Sequence, residues 1–496
     1  MQTSTLTHFD YKLAEKQVFI HVRQVDGPVP AFAGPALVSN TAMNTLDELR
    51  SGALAGSRRL SLCCGLSQFP AEIFKLADTL EILDLSGNQL TTLPDDLARL
   101  HRLRIIFCSN NRFTELPAVL GQCARLEMVG FRANQISHVP AASLPPQLRW
   151  LVLTDNLLTA LAPEIGRCTR LQKLMLSGNQ LRALPPQMAA CTNLELLRIA
   201  ANQFHTLPPW LLQLPRLAWL AFGGNPVCDQ AEAAARAVAP AFSIDWQQLK
   251  LAQQLGEGAS GVIHQAIWQT SEGTQSVAVK LFKGAITSDG FPHSEMIACI
   301  SAGQHASLVA VHGHVVRHPG GISALVLALI GPQFFNLAGP PSLASCTRDV
   351  YDAQTRFSLE AVLRLALGIA SAAQQLHQRG ILHGDLYGHN ILCTAEGDAL
   401  LTDFGAASFF ALADESQAAA LQRIEVRAFA CLLEELLTAV SGELMPDSHL
   451  VLMHQLAALQ ARCANENTAL RPLFSEISAV LSTLSGQSRC SAQLKP

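Results

Sequence analysis

Between residues 57 and 228 the apolar positions recur with a fixed period. Asn88, Asn111, Asn134, Asn156, Asn179, Asn202 and Asn225 follow one another at steps of 23 residues, with one step of 22. Around each runs the frame seen in Leu80-Glu81-Ile82-Leu83-Asp84-Leu85-Ser86-Gly87-Asn88-Gln89-Leu90. In a short strand the side chains alternate, so Leu83 and Leu85 face one way while Ile82 and Asp84 face the other. One such period is too short to bury its own leucines, but stacked periods share a continuous core. A shortened period with Leu60, Leu62, Leu66, Phe69 and Pro70 precedes the others, giving about eight coils. The expectation is a solenoid of short parallel strands, each asparagine bonding backbone where the chain leaves its strand.

The alternation also predicts what the strands expose. One column reads Ile82, Ile105, Met128, Trp150, Lys173, Leu196 and Trp219, and the next Asp84, Phe107, Gly130, Val152, Met175, Arg198 and Ala221. Nine of these side chains are large and apolar, more than a soluble surface usually leaves open. Ile105, Phe107, Trp150 and Trp219 are therefore expected to hold a partner, either another protein or this chain's own small C-terminal lobe. The repeat itself resembles the leucine-rich repeat, which implies an α/β solenoid and a protein-binding role.

The pattern changes after residue 245. Two strand-like runs flank Leu255-Gly256-Glu257-Gly258-Ala259-Ser260-Gly261-Val262-Ile263, where glycines allow a hairpin backbone to approach phosphates. A strand follows, Val277-Ala278-Val279-Lys280-Leu281-Phe282, with Ala278, Lys280 and Phe282 on one face. Lys280 and Lys283 are the only lysines between Lys250 and Lys495, and Lys283 points away from Lys280. Glu295 opens an apolar helical run and can reach Lys280, whereas Asp289 lies in a Ser-Asp-Gly turn. Further on come His383-Gly384-Asp385-Leu386-Tyr387-Gly388-His389-Asn390 and Asp403-Phe404-Gly405. Phosphoryl transfer from ATP needs a carboxylate for the acceptor hydroxyl and oxygen ligands for magnesium, and these residues offer both.

Residues 245–485 resemble a eukaryotic-type protein kinase domain, an α+β two-lobed fold. The helix Ser358–Gln378, the stretch Val426–Leu433 and Arg471-Pro472 extend the match. The resemblance implies that Lys280 pairs with phosphate and Glu295, that Asp385 is the catalytic base, and that Asn390 and Asp403 ligate magnesium. Leu255, Gly256, Gly258, Gly261, Ile263 and Ala278 would line the ATP site with Lys280, and Phe404 would pack beneath His383. The chain also departs from the family. Gly384 stands where the commonest kinases have arginine, Tyr387 replaces a frequent lysine, and Glu425 replaces an aspartate. No Ala-Pro-Glu precedes the central helix, so Arg471 lacks its usual partner, and with Gly384 and a short segment after Asp403, activity should not depend on phosphorylation at Ser408 or Ser416.

Composition narrows the setting. A net charge of −4 and no basic block argue against nucleic acid. The most apolar run, Ile322 to Ile330, is nine residues, against about twenty for a bilayer. Thirteen cysteines without CxxC spacing, three of them (Cys123, Cys168, Cys191) in a leucine column, read as small buried hydrophobes of a reduced, cytoplasmic protein. The expected organisation is an N-terminal arm and cap (1–56), the repeats (57–228), an alanine-rich linker (229–244), the kinase domain (245–485) and a tail (486–496). Residues 1–42 fit neither module: they form a loosely packed arm, or translation starts at Met43. The expected function is ATP-dependent phosphorylation of a protein hydroxyl, Ser/Thr in preference to Tyr, with the repeats selecting partners or restraining the kinase. The rivals are a catalytically dead scaffold and a small-molecule kinase.

Overall fold

The computed structural model describes residues 43–238, 242–258, 260–284, 287, 289–441 and 447–493. The expected N-terminal arm before Met43, Ala259 of the glycine-rich stretch, part of the linker and the last residues of the tail lie outside them. Helix α1 (Leu46–Ser51) precedes the first coil, held by a reciprocal bond pair between Thr45 and Glu48. Thr45 accepts from the Glu48 amide while the Glu48 carboxylate accepts from the Thr45 amide, satisfying orphan donors of the first turn.

The solenoid follows. Strands β1 (Arg59–Ser61), β2 (Ile82–Asp84), β3 (Ile105–Phe107), β4 (Met128–Gly130), β5 (Trp150–Val152), β6 (Lys173–Met175), β7 (Leu196–Arg198) and β8 (Trp219–Ala221) pair in sequence order as one parallel sheet. Their register aligns the two columns read from the sequence, Ile105 opposite Met128 opposite Trp150 and Phe107 opposite Gly130 opposite Val152. The other side of each coil is a 3-10 turn or an irregular stretch, and the leucines between them, with Cys123, Cys168 and Cys191, form one buried core. Asn179 illustrates the ladder: its amide donates to the Leu153 and Leu176 carbonyls at 2.9 and 2.8 Å, and its oxygen accepts from the Leu158 amide at 2.9 Å. One side chain thus ties three successive stretches of backbone that lack ladder partners of their own.

Helix α2 (Pro226–Val238) closes the solenoid's last coil. Strand β9 (Ser243–Asp245) then joins the small-lobe sheet, pairing with β13 (Val311–Val316), so the stretch read as linker ends inside the next module. The rest of that sheet is β10 (Leu249–Glu257), β11 (Gly261–Thr270), β12 (Gly273–Phe282) and β14 (Ala324–Ala328), in the order β10-β11-β12-β14-β13-β9. Helix α3 (Pro292–Ala302) packs on this lobe. The large lobe contains β15 (Phe335–Asn336), α4 (Leu359–Gln378), β16 (Ile381–Leu382), β17 (Ile391–Cys393), β18 (Ala399–Leu401), β19 (Ser408–Phe409), α5 (Glu415–Thr438), α6 (Asp447–Cys463) and α7 (Phe474–Gln493). Helix α7 continues past residue 485, so the stretch expected as tail is helical through Gln493. No helix among the described residues is long and apolar enough to cross a membrane.

The two modules share their cores. Leu382, Phe410, Ala418, Leu421 and Ile424 of the large lobe belong to the solenoid's leucine cluster. Conversely, Leu196, Ala218 and Trp219 of the solenoid belong to the large-lobe cluster.

Candidate active site

The β10–β11 hairpin carries the glycine-rich stretch, with Gly256 opposite Ile263 and the Gly258 amide donating to the Gly261 carbonyl at 2.9 Å. A Cβ at Gly261 would lie 2.5 Å from the Leu281 carbonyl oxygen, so β11 and β12 can meet there only through glycine. Lys283, at the end of β12, ties the loop down by bonding Glu257 at 2.6 Å and the Gly258 carbonyl at 3.1 Å. Leu255 and Ala278 are buried in this sheet, and Ile263 pairs with Lys280 across it.

Lys280 makes an ion pair with Glu295 on α3. Burial works against the ammonium charge, but Glu295 and Asp403 outweigh it and raise the Lys280 pKa above its ordinary value. The lysine, the glutamate and Asp403 are thus gathered within electrostatic reach, from a strand, a helix and a loop. Asp403 is in the left-handed region at φ 54°, where its carboxylate accepts from the Gly405 amide at 3.1 Å.

The loop around Asp385 is fixed from several sides. Asn390 donates to the Asp385 carboxylate at 2.8 Å and to its carbonyl at 2.9 Å, which turns the amide oxygen away from Asp385. The His383 and Phe404 rings pack 5.1 Å apart, and a His383 ring nitrogen lies 2.9 Å from the Thr402 carbonyl. Glu425, on α5, accepts from the Gly384 amide at 2.7 Å and the His383 amide at 3.3 Å, and contacts the His377 ring at 2.7 Å. Burial opposes its charge, yet His377 and His383 hold its pKa below the usual carboxylate value. The extra methylene relative to aspartate therefore does not cost the loop its anchor.

One feature of the site lies outside the expected residues. Arg198, in the second outward-facing column of the solenoid, reaches the loop around Asp385. Its guanidinium pairs with Asp385, donates to the Gly384 carbonyl at 2.9 Å and pairs with Asp289 at 2.9 Å. Burial acts against its charge, but Asp385 and Asp289 together raise its pKa. Asp289, read as a plain turn residue, is therefore part of this cluster. Trp219 stacks on Tyr387 with ring centroids 4.1 Å apart and donates to the Leu386 carbonyl at 3.0 Å. Ala200 and Ala221 pack on Ala406, and the Ser408 hydroxyl accepts from the Phe222 amide at 2.9 Å. Ser408 is fully buried by this contact, so it is closed to modification in this arrangement.

The concave face is accordingly covered in part by its own chain. Leu343 and Cys346 sit on Ile105, Phe107, Met128 and Trp150, and Thr347 bonds Glu195. The expected occupant was another protein or the small lobe; within this chain the contacts come mostly from the loop around Asp385 and the segment around residues 343–347. The physical reason is steric. Gly384 has φ 73°, and a Cβ there would lie 2.6 Å from both the Leu220 and Ala406 carbonyl oxygens. Gly223 similarly faces the Ala407 carbonyl oxygen, which its Cβ would meet at 2.7 Å. Alanines and glycines on both sides allow backbone-to-backbone approach at the loop. Arg471 completes the contact: with no carboxylate partner among the described residues, it donates to the carbonyls of Asn465, Arg423 and, in the solenoid, Pro215 at 2.6 Å. Burial, helped by nearby Arg427, lowers its pKa to about 10.

The signal for this docking was present in the sequence as Gly384, Tyr387 and an unpartnered Arg471. Each was legible as a departure and none showed what it met.

Comparison with known proteins agrees with the two halves. Residues 249–441 match the family model of protein tyrosine and serine/threonine kinases. Residues 78–121 and 146–204 match leucine-rich repeat models. Among curated proteins, the "Probable serine/threonine-protein kinase gdt4" of Dictyostelium discoideum is 30% identical over 174 residues, 33% of this chain and 9% of that protein. "Serine/threonine/tyrosine-protein kinase HT1" of Arabidopsis thaliana is 25% identical over 274 residues, 48% of this chain and 67% of that one. A solved leucine-rich repeat protein of Leptospira interrogans is 31% identical, covering 37% of this chain and 46% of its own, with a TM-score of 0.34. The match thus spans about a tenth of the Dictyostelium kinase.

Proposed function

Because this chain joins a leucine-rich repeat array to a protein kinase domain, we propose that it transfers the γ-phosphoryl group of ATP to a protein hydroxyl, serine or threonine in preference to tyrosine. The observation that carries the reading is the assembled Lys280–Glu295 pair beside Asp403, together with Asp385 held by Asn390. Lys280 would take the nucleotide phosphates, and Glu295 would keep its tip in place. Asn390 and Asp403 supply an amide and a carboxylate oxygen, hard donors suited to magnesium alongside phosphate oxygens. The metal, when bound, would neutralise charge on the transferring group. Asp385 would orient the acceptor hydroxyl and take its proton. The preference for serine and threonine draws support from the names of the kinases it resembles.

A second reading, a non-catalytic scaffold, is favoured by one observation: Asp385 is only 2% exposed and bears a solenoid arginine. Nucleotide titration with a phosphate-transfer assay separates the two. Asp385→Asn should retain nucleotide binding while transfer falls about a hundredfold or more. Equal transfer by the two proteins would remove Asp385 from the chemistry, and no nucleotide binding by the wild type would favour the scaffold.

A further inference from the structure

We infer that the solenoid is the kinase domain's own occluding element, with β7 and β8 closing the acceptor side of the catalytic loop and Arg198 clamped on Asp385. The inference rests on the phosphotransferase reading and names what regulates that site. An acceptor hydroxyl must come within hydrogen-bond reach of the catalytic carboxylate. Here Asp385 is 2% exposed, and the groups over it are Arg198 and Trp219, each also 2% exposed. An acceptor polypeptide would have to lie along residues 384–387 and 406–408, where Arg198, Trp219, Ala221, Phe222 and Gly223 already pack.

The nucleotide side is different. Ser260 and Asp403 are partly exposed, the Lys280 side chain keeps 12% exposure, and the Lys280–Glu295 pair is made. The solenoid even supports that half, since a Cβ at Gly224 would meet the Phe291 ring at 2.7 Å, and Ser294 on α3 lies 3.5 Å from Glu232 on α2. One half of the site is therefore built while the other is closed.

The chemistry of the clamp suits a contact with a definite seat. Asp289 precedes α3 and Asp385 lies in the large lobe, so one guanidinium ties both lobes to the solenoid. A buried ion pair gains little over an apolar contact of the same size, but strongly penalises any placement that leaves a charge unpaired. The clamp thus fixes where the solenoid sits more than how tightly. The same steric logic accounts for Gly384, which lets the Leu220 carbonyl approach, and for Tyr387, whose ring is the platform for Trp219.

The test uses the full chain with two separate variants. Arg198→Ala removes the clamp. Ala221→Leu adds bulk against Ala406 at a strand position that a free solenoid would expose, and leaves every charge paired. Transfer from Mg·ATP to dephosphorylated casein and to histone is measured with nucleotide affinity and amide exchange across residues 383–390. Both variants should raise transfer about tenfold or more, speed exchange in the loop and leave nucleotide affinity essentially as in the wild type. Slower transfer in Arg198→Ala at unchanged nucleotide affinity would overturn the inference, because the arginine would then serve the chemistry. Unaltered loop exchange and unaltered transfer in Ala221→Leu would overturn the occlusion alone. Faster exchange with no transfer by any protein would instead overturn the phosphotransferase reading, and the regulation with it.

Discussion

Lys280→Met is expected to lower phosphoryl transfer by about a hundred- to a thousandfold, because it removes the one cation that β12 presents beside Glu295 and Asp403. Methionine fills a similar volume in a flexible way, so the packing of β12 survives. The fold will not be indifferent, however. Glu295 is 2% exposed, and without Lys280 its buried carboxylate must take up a proton or remain unpaired, costing about 3 kcal/mol of stability. Transfer assays at saturating Mg·ATP check the first effect, and denaturant unfolding checks the second. Transfer near the wild-type rate in a folded variant would show that Lys280 does not face the phosphates.

Gly384→Arg, which restores the residue of the commonest kinases, is expected to be among the most destabilising changes in this chain. The position has φ 73°, which costs a side-chain-bearing residue about 1–2 kcal/mol. Its Cβ would also lie 2.6 Å from the carbonyl oxygens of Leu220 and Ala406. Both are backbone atoms, one in the solenoid and one in the segment after Asp403, so relief requires the two modules to move apart. The expected loss is about 4 kcal/mol or more, read from urea or guanidinium midpoints, and Gly384→Ala should show most of it. A variant as stable as the wild type would mean that the solenoid does not sit against the loop.

Much of this architecture was readable from residue spacing. The asparagine period fixed the coils, and strand alternation put Ile105, Met128 and Trp150 in one column and Phe107 and Val152 in the next, as the sheet pairs them. Lys280 and Glu295 followed from a scarcity of alternatives, and the pair is formed. What stayed hidden was every contact between modules. Arg198 meets Asp385 across 187 positions, and nothing local to either residue encodes that meeting. It depends on how α2 and the shared core around Leu382, Phe410 and Ile424 orient the solenoid. For the same reason the choice between another protein and this chain as the occupant of the apolar columns could not be read locally; residues 343–346 lie on Ile105, Met128 and Trp150. Glu425 was legible as a longer aspartate, but its grip on the His383 and Gly384 amides depends on where α5 packs beneath the loop.

Amide hydrogen exchange of the wild-type chain, with and without Mg·ATP, reads the nucleotide half and the acceptor half at once. Nucleotide should slow exchange along β10 to β12, while residues 383–390 are strongly protected beforehand and change little. Free exchange at residues 383–390 in the absence of nucleotide would contradict it, because a loop clamped beneath Arg198 and Trp219 has no route to solvent.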